Sequence, residues 1–249
     1  MSLENNKSEA YFSGPKFFGR RKGRVVRKAK QYLLDNLLPQ MKISAAEDFA
    51  DTRFLGDGNK ERCLEIGFGD GQHLYGQAKK HPEALFVGVE VFQNGVANLL
   101  TLISGIKDGD GLPEKVSLAD FGVTNIRVFD DDVRLLFQNI PDGFFDKVFL
   151  LFPDPWPKKK HSGRRFVNPD NLKEVARVLK KGGLFRIATD HPVYKRHVLR
   201  TMNDCPLFYW TAKCGNDWRN EPADWVKTKY QQKALREGRR PVFFDYRKI

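Results

Sequence analysis

The sequence predicts an α/β fold: a mostly parallel sheet with helices on both faces and an antiparallel C-terminal edge. Two observations predict it. From Arg62 onward, short apolar runs alternate with helix-length amphipathic segments, and strands joined by such crossovers pair in parallel. Near the end two aromatic runs remain, FYW and, beyond a Trp-rich loop, PVFFDYRK, which fit paired antiparallel edge strands. A chain of 249 residues accommodates one such domain with appendages.

The elements follow in order. Residues 1–23 are polar and end in FFGRRKG, so a disordered basic arm is expected there. Residues 24–60 are expected to form an N-terminal helical extension. In it VVRKAKQYLLDNLL offers an apolar face of Val26, Tyr32, Leu33 and Leu37, closed by Pro39. The core is expected over 61–249. RCLEIG, LFVGVE, NIRVFD, FDKVFLLF and LFRIATD read as its strands. The intervening helices are HLYGQAKKH, NGVANLLTLISGI, DVRLLFQNI, NLKEVARVLK and, last, VYKRHVLRTM. Gly182 and Gly183 are expected to cap the fourth.

Composition narrows the partners. Against 31 Asp+Glu stand 43 Lys+Arg, a formal net charge of +12, which favours a polyanion such as nucleic acid. Seven of the cations lie between Gly19 and Lys30, on either a solvated helix face or an arm for an anionic ligand. Cys63, Cys205 and Cys214 make no zinc-type spacing, and the five histidines are too scattered for a metal site, with surface or helix-end positions expected for most. No run is long and apolar enough for a membrane span, and no signal-peptide core opens the chain. A cytoplasmic protein with no metal, no membrane contact and no obligate protein partner, monomer or homodimer, is expected.

Ligands of open α/β sheets bind at the carboxyl ends of the strands, so the polar residues there carry the function. The first strand runs into EIGFGDGQH, where Gly67, Gly69 and Gly71 let the backbone turn sharply and approach a ligand. A dinucleotide fingerprint wants its third glycine at Gln72. Here it comes one residue early, and Glu65 stands two residues before Gly67. That acid suits the ammonium of a methionine moiety and would repel a pyrophosphate. Glu90 ends the second strand, placed for ribose hydroxyls. Asp131, between Asp130 and Asp132, is placed at the third strand's end for an adenine amino group. The expected cofactor is S-adenosylmethionine on a Rossmann-like class I methyltransferase fold.

The fourth strand runs into FPDPWPKKKH. Alternating prolines stiffen this loop, and Asp154 stands where a transferred methyl would meet its acceptor. Trp156 reads equally as a core residue and as a stacking surface for a flipped base. Lys158, Lys159, Lys160, Arg164 and Arg165 then crowd the rim, and Lys227, Lys229, Lys233, Arg236, Arg239 and Arg240 follow later, so steeply salt-dependent RNA binding is expected.

EIGFGDG, GVE, FPDPWPKKKH followed by RRFV, LKKGGLFRIATDH and TKY together resemble the bacterial tRNA (guanine-N7-)-methyltransferase family, from about Arg62 to the C-terminus. The resemblance implies methyl transfer from S-adenosylmethionine to guanine N7 in tRNA, in the variable loop. It implies a cofactor site lined by Glu65, Glu90, Asp131 and Asp154, and RNA contacts from Lys158, Asp190, Thr228, Lys229, Tyr230 and Gln231. Asp154 and Asp190 become the catalytic candidates, Asp190 reading the guanine edge or else capping the following helix. Gln231 stands where the family usually has glutamate. Transfer to another nucleobase atom, an RNA-binding module with a vestigial pocket, and a dinucleotide oxidoreductase are the competing readings.

Overall fold

The structure is a computed structural model and describes residues 17–44, 49 and 61–249. The expected arm over 1–16 and most of 45–60 lie outside the described residues. Seven strands form one sheet: β1 (Arg62–Ile66), β2 (Leu85–Val89), β3 (Ile126–Phe129), β4 (Phe145–Leu151), β5 (Leu179–Thr189), β6 (Phe208–Trp210) and β7 (Val242–Lys248). Their order is β3-β2-β1-β4-β5-β7-β6. The first five run parallel, and β7 pairs antiparallel with both β5 and β6. PVFFDYRK is therefore an interior strand, and of the two C-terminal strands only FYW is an edge.

The helices are α1 (Lys28–Asn36), α2 (Gln72–Lys80), α3 (Gln93–Ser104), α4 (Val133–Phe137), α5 (Pro169–Val178), α6 (Pro192–Asn203), α7 (Asn216–Arg219) and α8 (Lys229–Arg236). Strand side chains alternate between two cores. On one face Leu64, Ile66, Val148, Leu150, Phe185 and Ile187 pack with α4, α5 and α6. On the other, Cys63, Phe86, Phe149 and Ala188 pack with α1, α2 and α3. Burying 25 cal/mol or so per Å² of apolar surface on both sides stabilises the parallel strands.

The double glycine departs from expectation. α5 begins at Pro169 with Asn168 as its cap, whose side chain accepts from Asn171 N, and ends at Val178. Leu179 already pairs with Phe145, and the register shifts before Lys147. Gly182, at φ 72°, and Gly183 sit in that irregularity, where a Cβ on Gly183 would come 2.8 Å from the Lys180 carbonyl oxygen. The pair makes a bulge in β5, not a helix cap.

Candidate active site

A cavity of about 790 Å³ opens at the carboxyl ends of β1, β2 and β4. Its floor is the turn after β1. Gly67, Gly69 and Gly71 have φ of 70°, 56° and 75°, the left-handed region that only glycine enters cheaply. Gly67 N donates to the Val89 carbonyl at 2.8 Å, and Gly69 N donates to Glu90 Oε2 at 2.7 Å. α3 supports the turn from beneath, so closely that a Cβ on Gly95 would sit 2.4 Å from the Gly69 carbonyl oxygen.

Glu65, Glu90, Asp131 and Asp154 all line this one cavity. Glu65 is 3 % exposed, and its Oε2 lies 2.7 Å from His73 Nδ1. Glu90 accepts from Gly69 N through one oxygen and from Phe92 N, at 2.8 Å, through the other. Burial pushes its carboxyl above the ordinary glutamate value, against the pull of those backbone donors. Of the three adjacent aspartates, Asp130 pairs with Lys42 at 2.8 Å. Asp132 caps α4 and pairs with Arg134. Asp131 faces the cavity, and Arg21 holds its Oδ1 at 2.7 Å. Phe17, Phe18, Gly19 and Arg20 continue that strand of chain along the cavity wall. Asp154 is exposed, and among the described residues it has no hydrogen-bond or ion-pair partner.

The loop carrying Asp154 is strained. Phe152 and Trp156 take φ of 52° and 39°, and non-glycine residues hold such backbone only where their surroundings over-determine it. Arg165 supplies that restraint. It is 8 % exposed, with Nε donating to the Pro155 carbonyl at 3.1 Å and Nη2 to the Trp156 carbonyl at 3.0 Å. Arg165 therefore leaves the expected set of phosphate-binding cations, since its charge is turned inward. Trp156 is a cavity wall, half-buried, with the Arg164 guanidinium carbon 4.9 Å above its ring and His161 edge-on at 5.8 Å. The core reading of Trp156 drops out.

The residues expected at the RNA divide. Tyr230 lines the cavity and lies over the turn, 3.0 Å from where a Gly69 Cβ would stand. Burial, then Asp70, Glu90 and Asp154, raises its phenol pKa. Thr228 also lines the cavity, and its hydroxyl caps α8 by accepting from Gln231 N. Lys229 is drawn sideways, its N to Gln72 Oε1 at 2.6 Å and its Nζ 3.3 Å from Asp70. Lys158 is exposed on the loop beyond Trp156. Asp190 lies outside the lining, paired with Arg239 at 2.6 Å. It does not cap α6: His191 does, Nδ1 accepting from Val193 N.

Gln231 is turned away from the cavity. At 1 % exposure it accepts from Trp225 Nε1 at 2.7 Å and donates to Glu221 at 2.6 Å. An outward contact with RNA from this side chain is thus corrected to an internal lock on the Trp-rich loop. Trp225 in turn packs on Phe243 and His73. Surface or helix-end positions are expected for most histidines; His73 lies in the first turn of α2 and is 1 % exposed. The roles of Arg165, His73 and Arg21 escaped sequence reasoning, because nothing in a residue's type marks which partner its side chain faces.

A parallel sheet of this order, reversed only at β7, with a glycine turn and an acid at successive strand ends around one cavity, defines a class I S-adenosylmethionine-dependent methyltransferase. Residues 59–243 match a family model described as a putative methyltransferase. The tRNA (guanine-N(7)-)-methyltransferase of Rhodospirillum rubrum is 40 % identical over 245 residues, covering 94 % of this chain and 88 % of that protein. The Ruegeria pomeroyi protein of the same name is 41 % identical over 241 residues, covering 94 % of each. Among solved structures, an antibiotic-related methyltransferase aligns over 85 % of this chain and 98 % of its own with a TM-score of 0.54 and 15 % identity, a likeness of fold alone. The chain belongs to the tRNA (guanine-N7-)-methyltransferase family.

Proposed function

We propose that this chain transfers the methyl group of S-adenosylmethionine to N7 of a guanine in tRNA, in the variable loop, using Glu65, Glu90, Asp131 and Asp154 of the cavity, with Asp154 at the transfer point. The observation that carries the reading is the unpartnered Asp154 carboxylate on a rigid loop beside a cavity that already holds Glu65 and Glu90. Its charge, exposed and unpaired at the cavity mouth, attracts a cation that arrives beside it. The donor set fits the cofactor: Glu65 for the methionine ammonium, Glu90 for ribose hydroxyls, Asp131 for the adenine amino group. When bound, S-adenosylmethionine supplies an electrophilic methyl on a sulfonium.

Guanine N7 bears a lone pair and no proton, so no general base is needed to make the nucleophile. The chain's task is to fix an in-line pose and a field that favours a cationic purine. Asp154 supplies negative potential there. Trp156 offers a ring face that in this structure already carries a planar cation, Arg164, and cation–π attraction favours a charged purine over a neutral one. Asp190, released from Arg239, would accept from the two donors on the guanine Watson–Crick edge. Extraction of the base costs a few kcal/mol, offset by stacking and by phosphate contacts from exposed Lys158, Lys159 and Lys160.

Incubation with methyl-labelled S-adenosylmethionine and bulk tRNA, followed by digestion to nucleosides, tests the reading. Label in 7-methylguanosine is expected. Label in an exocyclic amine would move the reaction to another atom, and RNA binding without any transfer would leave only a binding module.

A further inference from the structure

Behind the glycine turn three buried side chains form a hydrogen-bonded line, Gln77–His73–Glu65, of which the reaction described above uses only Glu65. Gln77 Nε2 donates to the Asp224 carbonyl at 2.7 Å, which fixes that end of the amide as its nitrogen. The same nitrogen lies 3.3 Å from His73 Nε2, and His73 Nδ1 lies 2.7 Å from Glu65 Oε2. His73, Gln77 and Glu65 are all buried. An amide NH2 has two hydrogens and no lone pair to offer. One goes to Asp224, and the other faces Nε2, which must therefore be bare and accept. The imidazole proton then sits on Nδ1 and is donated to Glu65.

The rings of Phe149 and Trp225 flank the imidazole, at centroid distances of 5.1 and 5.2 Å. Glu65 is the one charged side chain in hydrogen-bond contact with it among the described residues. An imidazolium in this place would close an ion pair on Glu65 and cancel its charge. A neutral imidazole orients the carboxylate and leaves the charge standing. The other oxygen, Oε1, makes no hydrogen bond among the described residues, and Glu65 lines the cavity.

We propose that His73 is a positioning residue, held by Gln77 as the neutral Nδ1–H tautomer, which fixes Glu65 through Oε2 so that Oε1 stays charged and available to an ammonium group. The inference rests on the S-adenosylmethionine reading of the cavity and adds to it the group that sets its anionic contact.

Two measurements test it on the full chain. Nitrogen-15 NMR of histidine-labelled protein at neutral pH is expected to show His73 with a bare Nε2 and a protonated Nδ1. An imidazolium, or the opposite tautomer, would overturn the proposal whatever any variant does. Calorimetric titration with S-adenosylmethionine supplies the second. Asparagine keeps an N–H near the Nδ1 position, so His73→Asn is expected to bind within about threefold of the parent, whereas His73→Leu is expected to weaken binding about tenfold or more. Equal affinities for the Leu variant and the parent, or an Asn variant as weak as the Leu variant, would refute the positioning role. A parent protein that fails to bind S-adenosylmethionine would instead sink the reading of the cavity, while the tautomer assignment would stand or fall by the NMR alone.

Discussion

Replacing Arg165 by methionine isolates what holds the loop that carries Asp154. The substitution keeps an apolar stem of similar length but removes the guanidinium that donates to the Pro155 and Trp156 carbonyls at 3.1 and 3.0 Å. Hydrogen bonds from a charged donor contribute about 1.5–3 kcal/mol each, and two from one fork share their cost, so the clasp is worth about 3 kcal/mol. Against it stand the left-handed Phe152 and Trp156, each costing on the order of 1–3 kcal/mol. Without the clasp the loop relaxes, and Asp154 and Trp156 leave their places on the cavity wall. At about 1.4 kcal/mol per decade, turnover on tRNA should fall about a hundredfold. Glu65 and Glu90 lie elsewhere on the wall, so affinity for S-adenosylmethionine should change by less than about threefold. Single-turnover methyl transfer and calorimetric titration on the same preparation, with a thermal melt to confirm folding, make the comparison. A folded variant with turnover within about threefold of the parent would show that the prolines alone hold the loop.

Other perturbations probe different parts of the molecule. Gly95→Ala places a Cβ 2.4 Å from the Gly69 carbonyl oxygen, a backbone contact that cannot yield without moving the turn, so titration should show cofactor affinity lost by tenfold or about that with β-sheet content unchanged by circular dichroism. Arg186 is 5 % exposed, between Asp245 and Asp224, both at 2.7 Å. Burial pulls its pKa down, but the bonds to Asp245 and then Asp224 outweigh that and hold it above the ordinary value. Arg186→Met should cost about 3 kcal/mol, read as a lower urea midpoint at unchanged slope. Glu90 has a carboxyl raised by burial above 4.5. As pH falls through that raised value it gains a proton and can no longer accept from Gly69, Phe92 and a ligand together. Cofactor affinity should therefore drop on the acid side with a midpoint above 4.5, and a midpoint at or below that value would refute the assignment.

The order of elements, the parallel core and the four acids were legible in the chain. Strand–helix periodicity is a local property, and a ligand site at strand ends follows from sheet geometry, so Glu65, Glu90, Asp131 and Asp154 could be placed by counting from apolar runs. The glycines after Phe68 announced their turn because only glycine takes that backbone. The direction of a polar side chain is another matter. Arg165 and Arg164 are sequence neighbours of the same type, yet one clasps the loop from inside and the other lies on Trp156. Gln231 and Tyr230 likewise part ways, one locked under Trp225 and the other over Gly69. Such choices depend on what distant segments bring within about 3 Å, and a sequence lists types without those distances. Local periodicity determined where the site is; only the tertiary structure decided which of its neighbours face the ligand and which hold the others in place.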